Sequence, residues 1–364
     1  MSIYQKILIQ LILFTTVFVN PIRGFLNVSF LHLFFISVYV LFSWHSLRLY
    51  KYLVPFTVVV LLTAAYNYSI GTADFSQIIY SIIQYLILIH FIPAICYSKG
   101  FRIGFYSNSI LVYGLLLILG GYIHYSGNYS IFGLINEPIW SELQEYEQVR
   151  YRMISFISSP QNYSAITYLI LIIAFYSKAS NIWIRYLYIL LYIPQIFISG
   201  TRLPLITFLV FISIDLITKT SLKKIFSYTI VTLLFILAFN SGFNSFSRFS
   251  IERILLDNPI YTSWIYYINQ LNLSNIFISN HFGLVQTYSD QLDPESFLIK
   301  AIYELGIIGI ITFLPIANRY INLKKNTFNL HISLIFIIAS FLTPAFSGSI
   351  FPIFCLPYLI MREC

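Results

Sequence analysis

The sequence predicts an all-α polytopic integral membrane protein, a single membrane domain over residues 1–364 with about twelve transmembrane helices. Three observations predict it. The chain is 58% hydrophobic and only 9% charged, with a mean hydropathy of +0.80, more apolar surface than a water-soluble domain can bury. The apolar residues run in long continuous stretches, not in the short alternating strands of a membrane barrel. The charges fall in short flanks between those stretches.

The spans follow in order. The first, 5–20, has Lys6 at its start and no small-residue cleavage site, so it reads as an uncleaved first helix. Spans at 25–43, 51–70, 76–97 and 106–126 come next, separated by Arg23, by Arg48 and Lys51, by the turn Gly71-Thr72-Ala73-Asp74, and by Lys99 and Arg102. A polar loop at 126–158 interrupts the series. Ser159-Pro160 then starts the span 160–177, with Ser in the capping position and Pro at the first helical one. Spans at 182–198, 202–219 and 224–242 precede a second polar loop, 243–295. The chain re-enters lipid at 296–316 and ends with two short spans, 331–346 and 349–362.

With the N-terminus inside, fourteen of the 21 Lys and Arg residues lie on inner flanks: Lys6, Arg48, Lys51, Lys99, Arg102, Lys178, Arg185, Lys219, Lys223, Lys224, Arg319, Lys324, Lys325 and Arg362. That bias places both termini in the cytoplasm. Lys300 falls within a span, and the outer cations are all arginine: Arg23, Arg150, Arg152, Arg202, Arg248 and Arg253. Arginine binds phosphate and carboxylate in a bidentate fashion, which lysine does not. The net charge of +8 does not indicate nucleic acid, because the cations are dispersed as topology-setting flanks. Cys96, Cys355 and Cys364 form neither a disulfide framework nor a metal cluster. No P-loop, HExxH, CxxC or GxSxG motif occurs, so ATP hydrolysis, zinc proteolysis and serine-hydrolase chemistry have no sequence support.

Four constellations carry chemistry. Arg202, in Ser199-Gly200-Thr201-Arg202, sits at the outer end of an apolar helix: a fixed guanidinium facing a lipid-linked phosphate, or a snorkelling anchor. Arg150 and Arg152 precede Gln161 and Asn162, which bring polar groups to the top of the bundle; the alternative is a solvated basic pair before a capped helix. Arg248 and Arg253 are five residues apart and do not share a helical face, so one binds ligand while the other pairs with Glu252 or Asp257. Glu295, in Asp293-Pro294-Glu295-Ser296, is either a general base for a sugar hydroxyl or an acidic residue favoured by its own helix dipole. His281 competes with it for the role of base. Two further pairs, Lys300 with Glu304 and Asp215 with Lys219, are four apart and able to neutralise each other. Asp74 stands without a second acidic group nearby that would complete a metal site.

In order and layout these stretches resemble the O-antigen polymerase and ligase superfamily, most closely the Wzy-type O-antigen polymerases. The resemblance covers roughly residues 110–315: Arg152 with Ser159-Pro160-Gln161-Asn162, Ser199-Gly200-Thr201-Arg202, Arg248 or Arg253, and Glu295-Ser296-Phe297 followed by Tyr303-Glu304-Leu305-Gly306-Ile307-Ile308-Gly309. Ligases of that superfamily carry a His-Asn pair before the exit helix, where this chain has Asp293-Pro294-Glu295-Ser296. The resemblance implies a GT-C-like glycosyltransferase in the bacterial inner membrane, acting at the periplasmic face on undecaprenyl-diphosphate-linked repeat units. A growing glycan would pass from its lipid carrier to a sugar hydroxyl of a new unit. Arg202 and Glu295 would be catalytic. Arg152, Arg248, Arg253, Arg150, Asn162 and His281 would bind substrate. No cofactor or metal is implied; membrane lipid and a chain-length regulator are the expected partners. Trp140, Tyr146, Tyr151, Trp264, Tyr266 and Tyr267 would stack on pyranose faces or anchor the interface. The competing readings are an O-antigen ligase and a flippase or other transporter, which should place charges and helix breaks deep in its spans.

Overall fold

A computed structural model of the chain describes residues 2–18, 22, 31–42, 51–86, 90, 92–98, 100–125, 155–156, 160–177, 180–198, 212–213, 215, 229, 259–272, 275–284, 296–320, 327–342 and 350–361. Among the described residues every regular element is helical. That is the economical solution for an apolar chain, since a helix satisfies its own backbone groups where no water can. The helices are α1 (Ile3–Val17), α2 (Leu31–Phe42), α3 (Val54–Ser69, preceded by the 3-10 turn Lys51–Leu53), α4 (Phe75–Leu86), α5 (Ile92–Cys96) and α6 (Ile103–Tyr125). They continue as α7 (Pro160–Tyr176), α8 (Ile182–Ile198), α9 (Pro259–Asn269), α10 (Phe297–Tyr320), α11 (Thr327–Leu342) and α12 (Ile350–Met361). Among the described residues three helical stretches are long and apolar enough to cross a membrane: Lys51–Ser69, Ile103–Ile123 and Leu298–Arg319. Exposed Leu62, Trp183, Leu190, Ile311 and Leu314 give the bundle an apolar outer surface.

Local sequence explains where these helices begin and end. Ser2 and Gln5 form a reciprocal capping box on α1, with the Gln5 amide donating to Ser2 Oγ at 3.2 Å and the Ser2 amide to Gln5 Oε1 at 3.0 Å. Pro160 opens α7, as expected from its fixed φ and missing N–H. Arg185 closes α7 from the neighbouring helix, its Nε donating to the Ala174 carbonyl at 2.5 Å and its Nη2 to Phe175 at 2.7 Å. Within the span expected over 76–97, α4 and α5 are described, and residues 87–89 and 91 lie outside the described residues. Pro93, which has no backbone N–H to donate, occupies the first turn of α5. The spans expected over 202–219 and 224–242 lie outside the described residues, apart from Ile212, Ser213, Asp215 and Thr229. Within the second polar stretch lies α9, opening at Pro259 directly after Asp257-Asn258.

α7 is the hub, packed against α6, α8, α11 and α12, and Leu169 to Ala174 along it are fully enclosed. α1 packs on α2 and α6, and α12 on α5. A second group forms around α10, which lies against α3, α9 and α11. α3 runs antiparallel to α10: the Arg319 guanidinium stands 4.6 Å from the Tyr52 ring centre, and Phe56 meets Phe313. α4 follows α3 after the Gly71–Asp74 turn.

Candidate functional site

The site is built on a break in α10. Gly306 has φ 72° and ψ −175°, a conformation open in practice to glycine alone, in the middle of an otherwise helical run. A break of this kind strands carbonyls on one half-helix and N–H groups on the other. The segment 275–284 supplies the missing partners. The carbonyl of Ile276 accepts the Ile307 N–H at 2.8 Å and that of Phe277 accepts the Ile308 N–H at 3.3 Å. The Ser279 hydroxyl donates in the other direction, to the carbonyl of Tyr303. A Cβ on Gly306 would lie 2.7 Å from the Phe277 carbonyl carbon, so the approach also needs glycine.

Asn67 clamps the same segment from α3. Its Nδ2 donates to the carbonyls of Ser279 and Thr63, both at 2.8 Å. Its Oδ1 accepts the Phe282 N–H at 3.2 Å and the Thr72 hydroxyl at 2.9 Å. Gly283, with φ +86°, brings the chain past the start of α4 close to Gln77 and Ile78. The segment is thereby tied to α3 and α10 through these backbone groups.

His281 stands on this platform. Its ring lies 4.5 Å from that of Tyr303, tilted by 6°, and Tyr267 meets Tyr303 edge-on at 4.9 Å. The Asn275 amide Nδ2 is 3.0 Å from His281 Nε2; an amide nitrogen only donates, so Nε2 is the unprotonated, accepting nitrogen. Partial burial holds the imidazole below its ordinary pKa of 6.5, with the Gln270 backbone carbonyl pulling the other way. His281 is therefore a neutral base at neutral pH.

Beneath it α4 and α10 face each other with polar side chains. The Lys300 ammonium donates to Gln84 Oε1 at 3.1 Å, and the Tyr85 hydroxyl donates to Glu304 Oε2 at 2.7 Å. Lys300 and Glu304, four apart on one helix, each also have a partner on α4. Asp215 accepts from the Tyr176 hydroxyl at 3.1 Å, and Tyr176 in turn stacks on His331; Lys219, its expected partner, lies outside the described residues.

Of the residues predicted for the site, His281 is the one whose side chain is described. Arg150, Arg152, Arg202, Arg248, Arg253 and Glu295 lie outside the described residues; Asn162 lies in the first turn of α7, its side chain outside them. Glu295 immediately precedes Ser296, whose hydroxyl accepts the Ile299 N–H at 3.3 Å and so caps α10. Of the aromatics, Tyr267 is buried against Tyr303 and belongs to the core, not to a sugar platform. Trp140, Tyr146 and Tyr151 lie outside the described residues. Asp74 is the carbonyl acceptor at the start of α4, bonded to the Gln77 and Ile78 N–H groups at 3.0 and 3.1 Å, and among the described residues no cluster of metal-binding side chains occurs. Asn67, Ser81, Gln84 and Tyr85 were not among the predicted residues. Their signal was available: Ser81, Gln84 and Tyr85 recur at three- and four-residue spacing inside an apolar helix, which puts them on one face.

No protein-family model matches the chain, and no curated protein matches it.

Proposed function

We propose that the chain is an O-antigen polymerase of the Wzy type, transferring an undecaprenyl-diphosphate-linked glycan onto a sugar hydroxyl of a new lipid-linked unit at the periplasmic face of the bacterial inner membrane. The observation that carries the reading is the segment 275–284, part of the second polar stretch, built into the helical bundle with a neutral histidine at its rim. It supports chemistry at the junction of that stretch and α10, where Glu295 and Ser296 stand in the sequence.

The reaction suits such a place. The donor carries its own diphosphate leaving group, and negative charge grows on that group as the C1–O bond breaks. Fixed guanidinium groups in a poorly hydrated site stabilise that charge more than they stabilise the ground state. Arg202, Arg152 and one of Arg248 and Arg253 take this role, with Arg150 and Asn162 beside them. The acceptor hydroxyl gives its proton to a base, Glu295 or His281. For His281 to act, the acceptor hydroxyl replaces Asn275 at Nε2.

A transporter of lipid-linked units is the second reading. It draws on the break at Gly306 and on Lys300 and Glu304 inside the bundle. Against it, the backbone groups opened by the break are filled by the chain's own segment rather than left for an ion.

The lipopolysaccharide ladder tests both, along with the ligase alternative. In cells lacking the chain, or carrying Arg202→Ala, a core capped by a single repeat unit is expected, because flipping and ligation continue. Bare core with no repeat would sink the polymerase reading in favour of ligase or flippase. Comparing Glu295→Gln with His281→Ala identifies the base.

A further inference from the structure

α3 and α10 both belong to stretches long and apolar enough to cross a membrane, and they meet antiparallel, so the start of α3 lies beside the end of α10. Two cations stand at that end. Arg319, in the last turn of α10, holds its guanidinium over the ring of Tyr52 in the turn that leads into α3, and so spans the seam between the two helices. Lys51 is the neighbouring residue in that turn, and both cations are exposed. Glu304, the acidic residue of α10, lies on the far side of the break at Gly306. Beyond the cations both helices turn apolar side chains outward. On α3 these are Val54, Val58, Leu61 and Leu62, which recur on one helical face, opposite the buried Phe56 and Val60. On α10 they are Leu314 and Ile311. Val58 is seven residues from Lys51 and Ile311 eight from Arg319, so each apolar face extends about 10–12 Å from its cation.

We propose that this end of the α3–α10 pair binds an anionic phospholipid, its phosphate between Lys51 and Arg319 and its acyl chains along the exposed faces of the two helices. Charge and apolar surface are ordered as they are in such a lipid, with cations at the helix ends and hydrocarbon beyond them. Each basic side chain at a membrane surface attracts anionic headgroups, and arginine adds paired N–H donors that suit phosphate. The contact with Tyr52 uses the face of the ring, whereas a phosphate oxygen is met by the guanidinium N–H groups, so the two are compatible. Holding Arg319 over the seam also lowers the entropy it must give up on binding. A zwitterionic lipid offers the same chains without the net charge. A second copy of this chain would bring the same two cations to the interface, so charge complementarity favours the lipid. The inference does not depend on the polymerase reading.

Native mass spectrometry of the purified full-length chain in detergent tests it, with phosphatidylglycerol, phosphatidylcholine and inorganic phosphate as probes. The first phosphatidylglycerol should bind about tenfold more tightly than phosphatidylcholine. Lys51→Gln combined with Arg319→Gln should abolish that preference, while Lys6→Gln, on α1, should leave it in place. Equal affinity of the wild type for the two lipids would overturn the proposal. So would an equal loss in Lys6→Gln, which would reduce the effect to net charge. Displacement of the lipid by inorganic phosphate at matched concentration would also overturn it, since the acyl chains would then contribute nothing. A dimer that persists and takes up no phosphatidylglycerol would assign the face to a second copy instead. Should the double variant not fold, Lys51→Glu decides: charge reversal at this exposed position should cut the preference several-fold, and an unchanged preference would overturn the site.

Discussion

The centre of α7 is fully enclosed while segment 275–284 is only partly buried, and the two are held together differently. From Leu169 to Ala174 the helix is apolar on every side, and its stability comes from many small, non-directional contacts. Around 275–284 several polar groups have a particular partner: the Ile276 and Phe277 carbonyls face the second half of α10, the Ser279 hydroxyl the first half, and Asn67 holds Ser279 and Phe282. Packing degrades gradually, because neighbours relax into lost volume. A directional bond in a dry interior has no substitute partner, so its loss exposes the full cost of an unsatisfied group.

The largest expected effect breaks the second region at its root. Gly306→Ala puts a methyl against the Phe277 carbonyl and forces alanine into a glycine-only conformation, so the segment must leave the break. We expect a loss of about 3 kcal/mol or more. Thermal unfolding in detergent, followed by a thiol-reactive dye, reads it directly, because Cys96 and Cys355 are free and buried. An unchanged melting temperature would mean that segment and helix break are not coupled.

A pair of substitutions then measures the contrast itself. Asn67→Leu keeps the volume but leaves the Ser279 carbonyl and the Phe282 N–H unpaired, at about 1–3 kcal/mol for each group. Ile170→Val, at a fully buried position in α7, removes one methyl for about 0.5–1.5 kcal/mol. If both shift the melting temperature equally, the directional bonds carry no special weight.

Much of the bundle was legible in the sequence, because apolar runs with charged flanks follow directly from what lipid demands of a chain. The starts of α7 at Pro160 and of α10 beside Ser296 follow from local capping chemistry. The site was less legible. Gly306 appeared as part of a Gly-x-x-Gly spacing, and nothing local shows that a segment some thirty residues earlier fills the break there. Lys300 and Glu304 looked like a pair within one helix because spacing is all a sequence offers; their partners on α4 come from tertiary packing. His281 was legible as a candidate base, but its platform of Asn275, Ser279 and Tyr303 exists only in the folded chain.

The smallest expected effect concerns that histidine. Its pKa is held below the unfolded value of 6.5 by partial burial, so between the folded and unfolded values the unfolded chain binds more protons than the folded one. Stability contributed at this position is therefore present at neutral pH and lost as pH falls below about 6.5. Protonation also removes the accepting lone pair at Nε2 that receives Asn275, so the segment loosens on the side where the acceptor sugar would enter. Melting temperatures measured from pH 7.5 down to pH 5 should decline more steeply for wild type than for His281→Gln, which keeps a polar side chain and cannot titrate. Parallel curves would place the acid sensitivity of the bundle elsewhere and leave Glu295 as the stronger candidate for the base.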